Sequence, residues 1–179
     1  YFRAPHLYIA TAARFMQGRR AVQGAEAEAW PKASFADCSD AVLMTTRGGN
    51  DYERTFSEAW IRPGIGAGNW VTRSNYPVCG LVPTGPDEMS AYVVREYALP
   101  SVRIQRLVMR LDGLISLTAP HGGGEVVTRP LVFSGNRLTI NFSTSAAGAL
   151  RAELQSPDGR PLPGFALDDC PEIVGDRIE

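Results

Sequence analysis

Ser90-Ala91-Tyr92-Val93-Val94-Arg95-Glu96 and, a short gap later, Val102-Arg103-Ile104-Gln105-Arg106-Leu107-Val108-Met109-Arg110 decide the fold. Both are short, rich in β-branched and aromatic residues, and carry apolar side chains at every second position, the spacing that puts one face of a pleated strand on a core. Working outward, the same period recurs at residues 7–12, 41–46, 78–82, 114–117, 125–133, 137–142 and 149–154. Between these runs stand Gly48-Gly49-Asn50-Asp51, Pro83-Thr84-Gly85-Pro86-Asp87, Gly122-Gly123-Gly124, Ser134-Gly135-Asn136 and Ser156-Pro157-Asp158-Gly159. Such residues supply positive φ or fix φ near −65°, which is what tight turns need. The pattern predicts an all-β chain. Residues 21–30 are rich in Ala and Glu but have no sustained apolar stripe and run into Pro31, so they read as a loop carrying a short helix.

The chain has 179 residues, 44% of them hydrophobic, enough for a sizeable core in one domain or two small ones. Its 18 Lys+Arg and 19 Asp+Glu leave a net charge of −1, with no basic excess for a phosphate backbone, so no nucleic-acid partner is expected. No window is apolar over the 18 or more residues a membrane helix needs, and no membrane partner is expected either. Residues 1–112 hold 13 cations, 11 acids and all three Trp, a charge of +2; residues 113–179 hold 5 and 8, a charge of −3. This shift predicts a site-bearing part over 1–112 and a smaller antiparallel β-sandwich over 113–179. The sequence starts at Tyr1 without Met and ends as a strand pattern begins, so it reads as a piece truncated at both ends. Localisation and oligomeric state are therefore left open.

Cys38, Cys79 and Cys170 are too far apart for a metal knuckle and too odd in number for a complete disulfide framework. They read as buried or half-buried thiols, and neither a metal nor a cofactor is expected. Arg14, Arg19 and Arg20 read as a solvated face.

Glu58-Ala59-Trp60-Ile61-Arg62-Pro63-Gly64 and Asn69-Trp70-Val71-Thr72-Arg73-Ser74-Asn75-Tyr76-Pro77 set indoles beside Arg, Asn and Glu. A sugar ring offers apolar C–H faces for stacking and hydroxyls for polar side chains, so this mixture suits a glycan. It equally suits a loop whose Trp side chains cover the core. Glycoside hydrolysis generally takes two carboxyl groups, one protonated and one ionised. Asp40, before the run 41–46, Glu58, and Glu96, ending the run 90–96, are the candidate catalytic residues. Arg62, Trp70, Arg73, Asn75, His6 and Tyr97 are the candidate substrate-binding residues, with a half-buried structural His the alternative for His6.

The turn Thr46-Arg47-Gly48-Gly49-Asn50-Asp51-Tyr52 resembles a degenerate Asp-box hairpin of glycosidase propellers. Taken with Arg3-Ala4-Pro5-His6-Leu7-Tyr8, Arg14-Phe15, Ser39-Asp40-Ala41-Val42, Glu58 to Gly64, Asn69-Trp70 and Glu96-Tyr97, it makes the first part similar to the later blades of bacterial glycosidase-like five-bladed β-propeller proteins. Residues 143–154 and 159–170 resemble the β-sandwich that follows the propeller in that group. The resemblance implies a partial β-propeller to residue 112, then a sandwich, and a glycoside hydrolase acting on a carbohydrate in the intact protein. Asp40 and Glu96 would face the central funnel, lined by Glu58, Arg62, Arg73 and Asn75. With earlier blades missing, this stretch alone is expected to be inactive. The alternative is a non-catalytic carbohydrate-binding or structural β-module.

Overall fold

The structure, a computed structural model, describes residues 1–30, 37–71 and 74–178. It is all-β, with several antiparallel sheets and, among the described residues, none closed into a barrel. The chain divides into two compact units, Tyr1–Ile115 and Ser116–Glu179.

In the first unit, β1 (Tyr8–Gln17) and β2 (Asp37–Thr46) pair antiparallel over their whole length, from Tyr8 opposite Thr46 to Gln17 opposite Asp37. The connection between them contains a single helical turn, α1 (Ala25–Glu28). A four-residue helix is below the length that is stable by itself; here Ala27 and Trp30 pack against buried Val22, Val71 and Leu99. Among the described residues the second edge of β2 carries isolated backbone bridges, Thr45 with Glu53 and Ala41 with Ile61. The chain between these bridges bows away from the ladder, and Glu58 lies on the bow.

A second sheet is centred on β5 (Glu88–Arg95). One edge pairs with β6 (Arg103–Arg110) along its full length. The other edge takes both β3 (Tyr76–Pro77) and β4 (Val82–Pro83), so these two are halves of one interrupted edge strand. Tyr76 faces Val94, but Val82 faces Ser90, a register slip of two residues absorbed around Gly80 at φ 98°. Bulges of this kind are what a non-glycine residue resists at positive φ. Along β5, Met89, Ala91, Val93 and Arg95 are all buried. Val93 packs with Ala41 of β2 and Ile61, with Trp60 and Leu107 at the margin. The two sheets thus share a core through the bowed stretch 53–61.

The second unit pairs β7 (Asn141–Ser143) with β8 (Asp176–Ile178) and adds single bridges at Leu150–Ile173 and Gln155–Pro161. The turn at Ser156-Pro157-Asp158-Gly159 forms as its residues dictate, with Gly159 at φ 82° and its N–H on the Ser156 carbonyl at 2.9 Å. The expected strands at 114–117 and 125–133 are absent, and of the run 137–142 only its end is in β7. Val126, Val127, Leu131 and Phe133 are 64–71% exposed and Val132 fully so. Strand propensity expresses packing against a neighbouring surface, and these residues have none; Pro130 also removes a ladder donor.

Met89, second residue of β5, is fully buried. Met89→Ala should lower unfolding free energy by about 2–5 kcal/mol through lost transfer and a residual cavity. Urea denaturation followed by tryptophan fluorescence reports this directly, because all three Trp lie in the first unit.

Candidate functional site

Asp40 stands on β2 opposite Arg14 on β1. Cross-strand placement lets the guanidinium grip the carboxylate with both prongs, Nε to Oδ1 at 2.8 Å and Nη2 to Oδ2 at 2.6 Å. The bidentate hydrogen bond holds the Arg14 guanidinium even more firmly protonated than usual. Its remaining nitrogen, Nη1, donates to the Ser57 carbonyl at 3.2 Å, tying Asp40 to the bowed stretch that carries Glu58. Arg14 was expected on a solvated face; it is instead a half-buried clamp. β1 runs on past residue 12 through Arg14-Phe15-Met16, which puts Arg14 on the ladder opposite Asp40.

Glu58 pairs with Arg62 at 3.0 Å, and both side chains stay largely exposed. Arg62 begins the turn Arg62-Pro63-Gly64, and Gly64, at φ 77°, presents its carbonyl to the Trp70 indole N–H at 3.0 Å. Trp70 closes a short 3-10 turn over Ala67–Trp70 and keeps 39% of its surface exposed. Gly68 in that turn is required by contact: a Cβ there would stand 2.9 Å from Glu96 Cγ. Arg73 lies outside the described residues.

Glu96 has a positive φ of 54° just beyond β5. A hydrogen bond from Ser101 and the Arg103 guanidinium, at 2.8 Å, hold its carboxyl below the ordinary glutamate value. Tyr97 follows, half-exposed, with its backbone N–H on Ser74 Oγ at 3.2 Å.

Asn75 is fully buried, also at positive φ, 68°. Its amide nitrogen donates to the carbonyls of Ser39 and Asn69, each at 2.9 Å, and its oxygen accepts from Arg95. Ser39 donates to the Ser74 carbonyl, and Ser74 to that of Gly68 at 3.1 Å. Neighbouring Asn69 gives its amide nitrogen to the Ile65 carbonyl at 3.1 Å, while its Oδ1 is buried with no partner among the described residues.

Hydrogen bonds thus join Asn75 to Arg95, Ser39 and Asn69, and Arg95 to the Arg62 and Pro63 carbonyls, while Asp40 reaches only the Ser57 carbonyl next to Glu58, through Arg14, and Glu96 is held separately by Ser101 and Arg103. His6 lies in the exposed turn before β1, outside this set of bonds. Sequence reading passed over Arg95 and the buried Ser39, Asn69 and Ser74, because polar residues in strands and loops are ordinarily exposed.

Chemically, each candidate acid is committed to a guanidinium. A general acid needs a carboxyl that keeps its proton near neutrality, and the surroundings of Glu96 do the opposite. Among the described residues no cluster of three or more His, Cys, Asp or Glu could hold a metal ion. Burial pushes the Cys38 thiol above its usual range, away from nucleophilic reactivity. No described helix is long and apolar enough to cross a membrane. Compared with known proteins, the chain matches no family model, no curated relative and no solved structure.

Two outcomes test this geometry. A double-mutant cycle on Arg14 and Asp40 should give a coupling of about 1–3 kcal/mol, because the pair is bidentate and half-buried. The exposed Glu58–Arg62 pair should give only about 0–1 kcal/mol; equal couplings would refute the difference in burial. The depressed Glu96 carboxyl contributes stability above its ordinary value of 4.5 and loses it as pH falls towards its folded value. Glu96→Gln should therefore lower the urea midpoint most at pH 7 and progressively less as pH falls below the ordinary glutamate value, which flattens the acid-side fall.

Proposed function

We propose that this chain is part of a glycosidase-like β-propeller protein and that its first unit supplies a glycan-contacting surface. The single observation that carries the proposal is Trp70, a half-exposed indole pinned by its N–H to Gly64 beside the solvent-facing Glu58–Arg62 pair. A pinned aromatic face costs little ordering when a sugar stacks on it, and a carboxylate and a guanidinium next to it suit hydroxyl recognition. The antiparallel sheet built on β5 is three strands wide, one fewer than a propeller blade, so the propeller part of the proposal rests on the resemblance seen in the sequence. On this reading residues 116–178 belong to an appended sandwich.

A hydrolytic role in the intact protein, on a glycan or glycoside, is the second reading. It is favoured by Arg14, which binds the Asp40 carboxylate and also donates to the carbonyl of Ser57, the residue before Glu58. Binding is the better supported of the two, because Glu96 is held ionised and all three acids are paired.

The test is a screen of the purified 179-residue chain against immobilised plant and bacterial polysaccharides, with Trp70→Ala alongside. Binding should weaken by at least about tenfold in the variant, the ~1.4 kcal/mol of one aromatic stacking contact. Its unfolding midpoint should barely move. Equal binding by both proteins would remove Trp70 from the surface and with it the proposal.

A further inference from the structure

We propose that Arg95 is a positioning residue that sets the orientation of Trp70 through the turn Arg62-Pro63-Gly64. Arg95 ends β5 and is 7% exposed. No carboxylate among the described residues pairs with it, and its chain neighbour Glu96 turns at positive φ to meet Arg103 instead. Its acceptors are neutral: Gln105 Oε1 from Nε at 2.9 Å, and from Nη1 the Arg62 and Pro63 carbonyls at 3.1 Å each, with Asn75 Oδ1. Burial, helped by the nearby Arg103 charge, makes this guanidinium less basic than usual, a sign that its surroundings only partly replace water.

A buried charge of this kind is weak support for stability, since an apolar side chain of similar volume often serves the fold as well. What the guanidinium supplies, and an apolar chain or an ammonium does not, is a rigid fork of directed donors. One nitrogen, Nη1, lies 3.1 Å from each of two successive carbonyls, those of Arg62 and Pro63, and shares its two N–H groups between them and Asn75 Oδ1, which ties both peptides to the end of β5. The next peptide carries the Gly64 carbonyl, the acceptor that pins the Trp70 indole. Gly64, at φ 77°, does not restrain that peptide itself. By anchoring the two peptides that precede Gly64, Arg95 limits where the Gly64 carbonyl can lie, and with it the indole that donates to it. The inference rests on the glycan-contact reading only for what the indole would bind.

The experiment labels the full chain with 5-fluorotryptophan, assigns the Trp70 fluorine resonance by its loss in Trp70→Phe, and records Arg95→Met and Gln105→Leu. Trp60, whose indole N–H is held separately by the Leu114 carbonyl at 2.9 Å, is the internal control. In Arg95→Met the Trp70 resonance should move towards the free amino acid while Trp60 stays in place. Gln105→Leu, at an exposed position of β6, should move it the same way by less, and decides the matter alone if Arg95→Met does not fold. An unmoved Trp70 resonance in the folded variants overturns the proposal, whatever happens to thermal stability. If the wild-type chain binds a polysaccharide, Arg95→Met should bind it about tenfold more weakly, as for one lost charge-assisted hydrogen bond. If the wild type binds none, the glycan reading falls and the resonance still decides the role of Arg95.

Discussion

The contact between Arg95 and Asn75 is the constraint around which the first unit is arranged. A guanidinium taken out of water must find acceptors for its donors, because it stays charged at any ordinary pH. Asn75 supplies one with its oxygen and spends its nitrogen on the Ser39 and Asn69 carbonyls, so one side chain connects β5, β2 and the 3-10 turn. To reach all three it sits at φ 68°, a conformation that Asn tolerates better than most residues. The apolar core is correspondingly divided: Val22, Val71 and Leu99 form one cluster, and Ala41, Ile61 and Val93 another. Segments of both run through the polar network.

That division explains why the acids are arranged as they are. Of the 18 cations, 17 are Arg and only Lys32 is Lys, so every long cation but one can offer a fork. Asp40, lying across the strands from Arg14, is held by two parallel hydrogen bonds; Glu96 is as little exposed but its partner Arg103 is half-exposed, and Glu58 and Arg62 are both largely exposed. Asp40 and Arg14 fix the bowed stretch to the sheet, whereas Glu58 and Arg62, both largely exposed, remain free to exchange each other for water or for hydroxyls.

The strands β1, β2, β5 and β6 were legible because each lays alternate side chains on a shared core, and period two is the record of that geometry. The turn at Gly159 was legible for the same local reason. The alternation at 125–133 is equally clear, yet those residues form no strand, since alternation states only that one face could be covered and never by what. Within the candidate site, sequence reading named Trp70, Glu58 and Arg62, and the structure leaves all three side chains partly or largely exposed. It mistook Arg14 for a solvated residue, because whether an Arg on a strand faces water or an acid depends on the partner strand's register. Asn75 was read as a ligand group on chemical type alone; its positive φ and its place between three segments are tertiary facts that no single stretch encodes.

The polar network also bears on what kind of precision this unit can have. Apolar contacts tolerate small slides, since dispersion is short in range but nearly isotropic. Hydrogen bonds between a planar fork and successive carbonyls do not, because they weaken steeply with angle. A turn held by Val or Leu would keep Trp70 near the surface; a turn held by Arg95 keeps its indole in one orientation. Among the described residues the network leaves one buried atom unmatched, Asn69 Oδ1, in the same turn as Trp70. An unmatched acceptor raises the free energy of the arrangement that contains it by about 1–3 kcal/mol. The Ala67–Trp70 turn is thus held by directed bonds from several segments and still carries an acceptor whose cost those bonds must offset.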